Sequence, residues 1–498
     1  MKKLLSILLI VYSSSFIAVN AQKEIKRTWH WYFGDKAGLD FSSGTAIKDT
    51  TGQMNVWLGC ISISDTNGKL LFYSDGHKVW NRNHIVMPHG MNLYKYGGIE
   101  ASQLLVAPMP GNDSLYYLFS IDYIQDTIPP FGSKWIYAVV NMAKDGGLGD
   151  VVSQYNLLMN NPSQKITATK HANGKDIWII TMLDNTNSYY AYLLTSSGID
   201  TTNPVVSSIG KRDTVGSEEM KVSFDGKKIA TALSSNNVEI LDFSNSTGLV
   251  SNPMTFPQLP NIVGGKACEA YGIEFSPDGQ KLYVSYYWTW PDSSANTIYQ
   301  IHIMPGNPIG TIASSVLLDT TSLVFSAHNS YNYGFTYSLQ LGSDGKIYEQ
   351  KEGLYHLGAI INPDVLGIGC GNVDSLINLN RLCNAGFPGY VRNYFYMDSL
   401  YTGLPNEDMI CTDNLKVYPN PNQGKFILVN GCIKNEAKNK VEVFNILGEK
   451  IYLNDNVRFS PDNYSIYIDL CNQITGVYLY RVTGENGNVI GTGKFIIQ

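Results

Sequence analysis

The 498 residues include 46 glycines and 33 tyrosines, only 16% are charged, and the net charge is −6. A mildly acidic chain with no basic run offers no electrostatic footprint for nucleic acid, so that class of partner is not expected. The length exceeds one ordinary core and predicts two or more domains, or one repeat domain with an appendage.

The chain opens with Lys2 and Lys3, a largely apolar stretch from Leu4 to Val19, and then Val19-Asn20-Ala21. This is the layout of a cleaved signal peptide over residues 1–21, with the cut between Ala21 and Gln22. The apolar run is too short and too interrupted for a membrane anchor of about 20 residues. No later stretch reaches transmembrane length, so no transmembrane segment is expected.

After the leader, helical periodicity is nearly absent. Short alternating strands are broken by Asn-Gly and Asp-Gly, dipeptides that tolerate the positive φ of tight hairpin turns. The segments CISISDTNGKLLFY (60–73), TKHANGKDIWII (169–180), MKVSFDGKKIA (220–230), IEFSPDGQKLYV (273–284) and LQLGSDGKIY (339–348) share one plan. Each is a strand, a turn ending in Gly, a Lys or Gln, and a second strand. The turn glycines Gly68, Gly174, Gly226, Gly279 and Gly345 are separated by 106, 52, 53 and 66 residues. The first gap is twice 53, so one repeat lacking the signature is expected there, with strands at Leu115–Ser120 and Trp135–Asn141. The last gap points to an insertion, placed at Tyr286–Asn296.

Four-stranded units recurring every fifty or so residues read as the blades of a β-propeller, since one blade cannot hide both faces and a ring of blades can. Residues 22–399 are therefore expected to form a propeller. Seven blades are favoured, Trp29–Ser42 and Gly386–Met397 together making the last; six is the alternative. Residues 400–411, LYTGLPNEDMIC, read as a linker. Residues 412–498 hold short strands at 425–429, 440–444, 449–453, 464–470, 476–482, 489–491 and 494–497, the pattern of an immunoglobulin-like β-sandwich. The fold class is thus all-β throughout.

The tail carries motifs with a family likeness. It reads NLKVYPNPNQGKFIL, then VEVFNILGEKIY, then GVYLYRV, and ends GKFIIQ. In this order and position the segments resemble the type A C-terminal sorting domain of the type IX secretion system of Bacteroidota. The matching positions are Tyr418, Pro419, Asn420, Pro421, Gly424, Gly448, Glu449, Lys450, Gly476, Val477, Tyr478 and Lys494. The resemblance implies passage through the periplasm and across the outer membrane, handling by the type IX machinery and its sorting peptidase, and release or attachment at the cell surface. Read bottom-up, Pro419 and Pro421 stiffen the entry and Gly424 turns the chain. FSPDGQKLYVS is similar to the repeats of TolB-like and lactonase-like propellers, a likeness that concerns fold and implies no reaction.

Chemistry is harder to place. His77, His84 and His89 lie within thirteen residues beside Asp75 and Arg82, a candidate ligand face whose simpler reading is a loop on a blade rim. Trp288 and Trp290, in YYWTW, are candidates for stacking on a sugar or a protein partner, as WHWYF (29–33) is to a lesser degree. Glu218, Glu219 and Glu269, with Lys266 near the last, are candidates for a channel-lining position, against a solvated strand entrance. Asp65, Asn67, Asp225, Asp278 and Asp344 raise calcium as a cofactor, but one Asp per hairpin is first of all turn chemistry; no cofactor is expected. Among seven cysteines, Cys370 and Cys383 are the first choice for a disulfide, and no metal spacing occurs. No catalytic motif appears, so no catalytic residue is assigned. The leading expectation is a non-enzymatic surface or secreted recognition protein for a glycan, peptide or envelope partner. The alternatives are an extracellular propeller hydrolase or lyase with channel-facing His, Glu or Asp, and a structural part in surface assembly or gliding.

Overall fold

The computed structural model describes residues 23–94, 103–124, 132–214, 218–233, 237–256, 268–288, 296–304, 310–311, 314–321, 324–325, 332–333, 336–395, 415–418, 422, 424–430, 438–458, 465–484, 487 and 489–497. The signal-peptide and linker expectations, with Ala21, Gln22, Pro419, Asn420, Pro421 and Trp290, lie outside them. The chain divides into two compact units, Met1–Tyr401 and Thr402–Gln498.

The first unit is a succession of seven antiparallel blades and one two-stranded ribbon among the described residues. Blade 1 holds His30–Phe33, Ala37–Asp40 and Ile47–Lys48; blade 2 holds Ile61–Ser64, Leu70–Ser74 and Val79–Asn81. Blade 3 runs Leu105–Pro108, Leu115–Ile124, Gly132–Asn141 and Asp150–Asn160, which is the repeat expected without its signature. Blade 4 runs Pro162–Lys170, Ile177–Leu183 and Ser188–Thr195, the last flanked by Gly198–Ile199 and Val205–Ser208. Blades 5, 6 and 7 are four-stranded, starting from Met220–Val222, Cys268–Phe275 and Thr336–Leu341. All five signature glycines take positive φ, from 68° to 88°, as the hairpin turns require.

Successive blades touch through their first strands from blade 2 through blade 7, and His30–Phe33 touches Ile61–Ser64. The ring closes between blades 7 and 1, where Tyr348 packs its edge against Trp31 (5.9 Å) and Phe41 (5.7 Å). One apolar core, with members in every blade, fills the wheel. The fold is a seven-bladed β-propeller. The surplus between Gly279 and Gly345 includes a two-stranded ribbon, Val324–Phe325 with Asn332–Tyr333, between blades 6 and 7. Tyr286–Trp288, placed in an insertion by the sequence reading, belongs instead to the regular strand Lys281–Trp288.

The ends of the propeller part are built differently from the expectation. Gly386–Met397 adds no strand to blade 1 among the described residues. Residues 383–395 instead run down the hub, parallel to the first strands, with isolated bridges from Pro388 to Cys60 and from Val391 to Ala168. The reason is direction. His30 meets the Gly68 carbonyl at the turn end of blade 2 (3.1 Å), while Gly34 at the far end accepts the Val56 N–H (3.0 Å). His30–Phe33 therefore runs opposite to the first strands, and the place inboard of it is open to the late segment.

The second unit is a β-sandwich. A three-stranded sheet, Leu415–Tyr418, Lys425–Asn430 and Ser465–Asp469, faces a four-stranded one in the order Lys450–Arg458, Lys438–Asn445, Gly476–Gly484, Val489–Ile497. Phe426, Leu428, Val441, Val443, Ile468, Tyr478, Tyr480, Val482 and Phe495 fill the space between. The two expected strands at 489–491 and 494–497 are one strand; Gly493 lets the Tyr480 ring lie against the backbone, where a Cβ would collide with it.

Candidate functional site

The hub is the natural place for a propeller to gather functional side chains, because seven blades converge there. Here the chain fills it with its own segment. Cys383 takes its backbone bond from blade 7's side of the ring at Leu354 O (3.1 Å), and Gln350 donates to the carbonyls of Cys383 (2.6 Å) and Gly386 (2.9 Å). Asn384 Nδ2 and the Ala385 N–H reach the carbonyls of Val56 and Trp57 (2.7 and 2.8 Å). Phe387 packs on Trp31 and Phe33, both with centroids 5.2 Å away. Gly389 N–H donates to Cys60 O (3.2 Å). Arg392 Nε donates to Val222 O (3.2 Å), and Asn393 bridges blades 4 and 5 through Thr169 Oγ1 (2.7 Å) and Phe224 O (2.9 Å). The approach is close enough to require glycine. A Cβ on Gly386 would overlap Leu58 O, and one on Gly389 would overlap Leu104 O.

Charges at the hub are buried and paired. Lys221 Nζ lies 3.3 Å from Glu219 and 3.5 Å from Glu274, and Arg392 clasps Glu274. Glu274 also accepts the N–H groups of Phe275 (2.8 Å) and Leu341 (3.0 Å), and Glu219 that of Ile273 (3.0 Å). Two acids and two bases balance, as buried charges must. Burial holds the Glu219 carboxyl above its ordinary range. Nearby, Lys165 is fully buried between Asp213 and Glu218 (3.1 Å to Glu218), and burial likewise raises Glu218. Glu218 and Glu219 are thus interior groups, not solvated strand entrances. Glu274, Lys221 and Arg392 escaped the sequence reading. The only trace of Arg392 was GFPGYVRNYF (386–395), where a single Arg interrupts an aromatic and glycine-rich run.

The predicted ligand face separates on inspection. His77 Nε2 bonds Asn92 Oδ1 (2.9 Å) and its ring stacks on Tyr94 (4.5 Å). His84 turns inward to Tyr73 OH (3.2 Å), and burial lowers its proton affinity. His89 pairs with Asp150 of blade 3 (2.9 Å), while Tyr155 OH donates to Asn92 O (2.5 Å). His77 and His89 therefore share the seam between blades 2 and 3, and His84 does not. The seam also holds three non-glycine residues with positive φ: His89, Asn92 and Tyr155. Trp288 ends its strand in blade 6; its side chain lies outside the described residues. No group of three metal-ligating side chains occurs among the described residues. The expected Cys370–Cys383 disulfide is not formed: both thiols are buried and free. Cys383 donates to Lys351 O (2.7 Å), and burial pushes it up to about 12; burial raises Cys370 to about 11.

Near the turn end of the hub, a cavity of about 630 Å³ is lined by Ile25, Asp278, Ser343, Asp344, Asp364 and Phe395, among others. Its acids are largely committed. Asp278 holds Lys281 (2.7 Å), and Asp344 holds Lys346 (2.6 Å) and Tyr348 (2.8 Å). Burial and the Asp278 charge raise Asp364 to about 6.

In the second unit, motifs far apart in sequence meet. Asn445 lies opposite Tyr478, Tyr478 opposite Phe495, and Gly476 opposite Ile497. Asn422 bridges to Ile497, and its side chain caps the Gly424 N–H (2.7 Å). Gly424 has φ 84° and abuts the backbone of Leu470 and Cys471, so no other residue fits. Gly448 (φ 81°) closes the Asn445–Glu449 turn, and Lys450 holds Glu442 (2.7 Å). Tyr478 OH ties down Ile474 O (2.6 Å). Thus Gly424, Gly448, Glu449, Lys450, Gly476, Val477 and Tyr478 gather at one end of the sandwich. Lys494 stands beside them, opposite Leu479. The same end exposes Ile446 (74%), Leu447 (79%) and Ile474 (81%).

Residues 416–498 match the model of the secretion system C-terminal sorting domain. The chain carries a sorting domain. That domain directs export by the type IX secretion system to the cell surface or the medium. No curated protein matches the chain. Among solved structures, it is similar to a putative 6-phosphogluconolactonase from Bacteroides fragilis, with 12% identity, 72% of this chain and 96% of that one covered, and a TM-score of 0.43. It is also similar to the Swd1 β-propeller domain of Myceliophthora thermophila (10%, 65% and 94%, 0.35). A third is PorZ, a surface component of the type IX secretion system of Porphyromonas gingivalis (10%, 94% and 74%, 0.27). Beside the sorting domain, no helix among the described residues is long and apolar enough to cross a membrane.

Proposed function

We propose that the exported propeller is a non-enzymatic recognition module and that the sorting domain delivers it. The observation that supports this reading is the filled hub. Acid and base groups that a propeller enzyme would aim at a substrate are here bonded to one another and to residues 383–395. Recognition then falls to the outer surfaces. The seam between blades 2 and 3 is the favoured face, because it displays the His77–Tyr94 stack, exposed His89 and half-exposed Tyr155 (44%) on strained backbone. A flat aromatic edge among hydrogen-bonding groups suits a glycan of the envelope or its surroundings. The clustered motif end of the sandwich is the face we assign to the secretion machinery and its sorting peptidase, since exposed apolar groups gather there.

The test is binding by the secreted protein to an array of bacterial envelope glycans, with Tyr155→Ala and His77→Ala as variants. Retention of a glycan by the parent and at least tenfold weaker retention by the variants is expected. Turnover of a lactone or polysaccharide substrate above background, abolished by a change at Asp364, would instead favour the hydrolase reading.

A further inference from the structure

The first and last blades share no strand. Blade 1 is made from residues 30–48 and blade 7 from residues 336–378. Their seam is side-chain packing, chiefly Trp31 and Phe41 on Tyr348. Nearly 290 residues separate these blades, so their meeting carries a loop-closure cost that the seam contacts must offset. Residues 384–395 touch what the seam leaves untied. They bond to the Gln350 end of blade 7, to the lead-in and first strand of blade 2, to the rings of blade 1, and to blades 4, 5 and 6 through Val391, Arg392 and Asn393. Eleven of the thirteen residues from Cys383 to Phe395 are buried.

We propose that residues 384–395 are the closing strap of the wheel: they enter the hub last, and they hold blades 1 and 7 together in place of a shared strand. Two features carry the order of events. The segment lies inside a ring made wholly of residues that precede it. Its fit is also too close for entry into a finished ring, because Gly386 and Gly389 run against the carbonyls of Leu58 and Leu104 while Phe387, Tyr390 and Arg392 fill the remaining space. Closure and strap insertion are therefore one step. A chain ending before residue 395 has an open wheel, whereas a cut after residue 395 leaves a complete one. The propeller is finished only when the residues just ahead of the sorting domain are in place.

Hydrogen exchange on the full-length chain tests this. In Gly389→Val, amides of 30–40 and 336–351 are expected to exchange at least tenfold faster. Those of Ile177–Leu183 and Lys228–Leu233 should change by less than about threefold, because local opening follows cooperative units. Equal acceleration in all blades, or acceleration confined to 384–395, would overturn the proposal. A second measurement does not depend on that variant folding. A protease site placed in the exposed loop 380–381 is cut in the native protein. The fragment from residue 382 onward should stay bound through gel filtration, or depart with faster exchange in blades 1 and 7. Departure with unchanged exchange there would overturn the proposal as surely.

Discussion

Arg392→Met removes the charge at the centre of the hub while keeping most of the stem volume. The guanidinium is 3% exposed, clasps Glu274, donates to Val222 O and lies 4.5 Å over the Phe224 ring. Breaking a buried pair from one side costs about 3–5 kcal/mol, because the other charge is left behind. Lys221, 3.5 Å from Glu274, keeps part of the compensation, which puts the expectation at the lower end, about 3 kcal/mol. That is a large share of the 5–15 kcal/mol typical of a domain. The assay is urea unfolding followed by tryptophan fluorescence. All eight tryptophans precede residue 291, so the signal reads the propeller alone. A loss below about 1 kcal/mol would refute the reasoning, since it falls within the range of a solvated surface pair.

Other outcomes follow from the same geometry. Glu442 is held down to about 2 by its bonds to Lys450, Arg481 and Lys440. A lowered carboxyl contributes stability above its ordinary 4.5 and loses it as pH falls toward 2. In calorimetry, the sorting domain's advantage over a Glu442→Gln variant should be present at pH 7 and gone near pH 2; a gap that persists at pH 2 contradicts this. Trp31→Ala empties the seam where three blade 1 and blade 7 rings meet, at a cost of about 3–5 kcal/mol in the same fluorescence-independent measurement by calorimetry. A cost under 1 kcal/mol would show the seam to be unimportant. Deleting residues 412–498 should leave a folded propeller in the periplasm, and fractionation that finds it outside the cell at normal levels would rule out the sorting role.

Much of the architecture was legible because it rests on local rules. A hairpin needs positive φ at its last turn residue, and glycine announces this at positions 68, 174, 226, 279 and 345. The sandwich announced itself through alternation, as in Ile466, Ile468 and Leu470. The hub segment was not legible. Gly386 and Gly389 look like ordinary loop glycines, and their constraint comes from carbonyls of residues 58 and 104, which the sequence does not place beside them. Glu219 allowed a solvated strand entrance as an alternative for the same reason: the groups that enclose it, Ile273 N–H and Ser338, come from blades 6 and 7, and Arg392, which clasps Glu274, comes from the late segment. The Cys370–Cys383 pairing was read from proximity in sequence, yet the two thiols are held by different neighbours. In the tail the motifs were visible one by one. Their convergence at a single end depends on the pairing of Gly476–Gly484 with both neighbouring strands.

An experimental density map of the secreted protein, resolved well enough to trace side chains, tests the central claim most directly. Continuous density for residues 384–395 should run down the middle of seven blades, with the Arg392 side chain reaching Glu274. An open, water-filled channel, or a late segment paired as an outer strand of blade 1, would contradict the account.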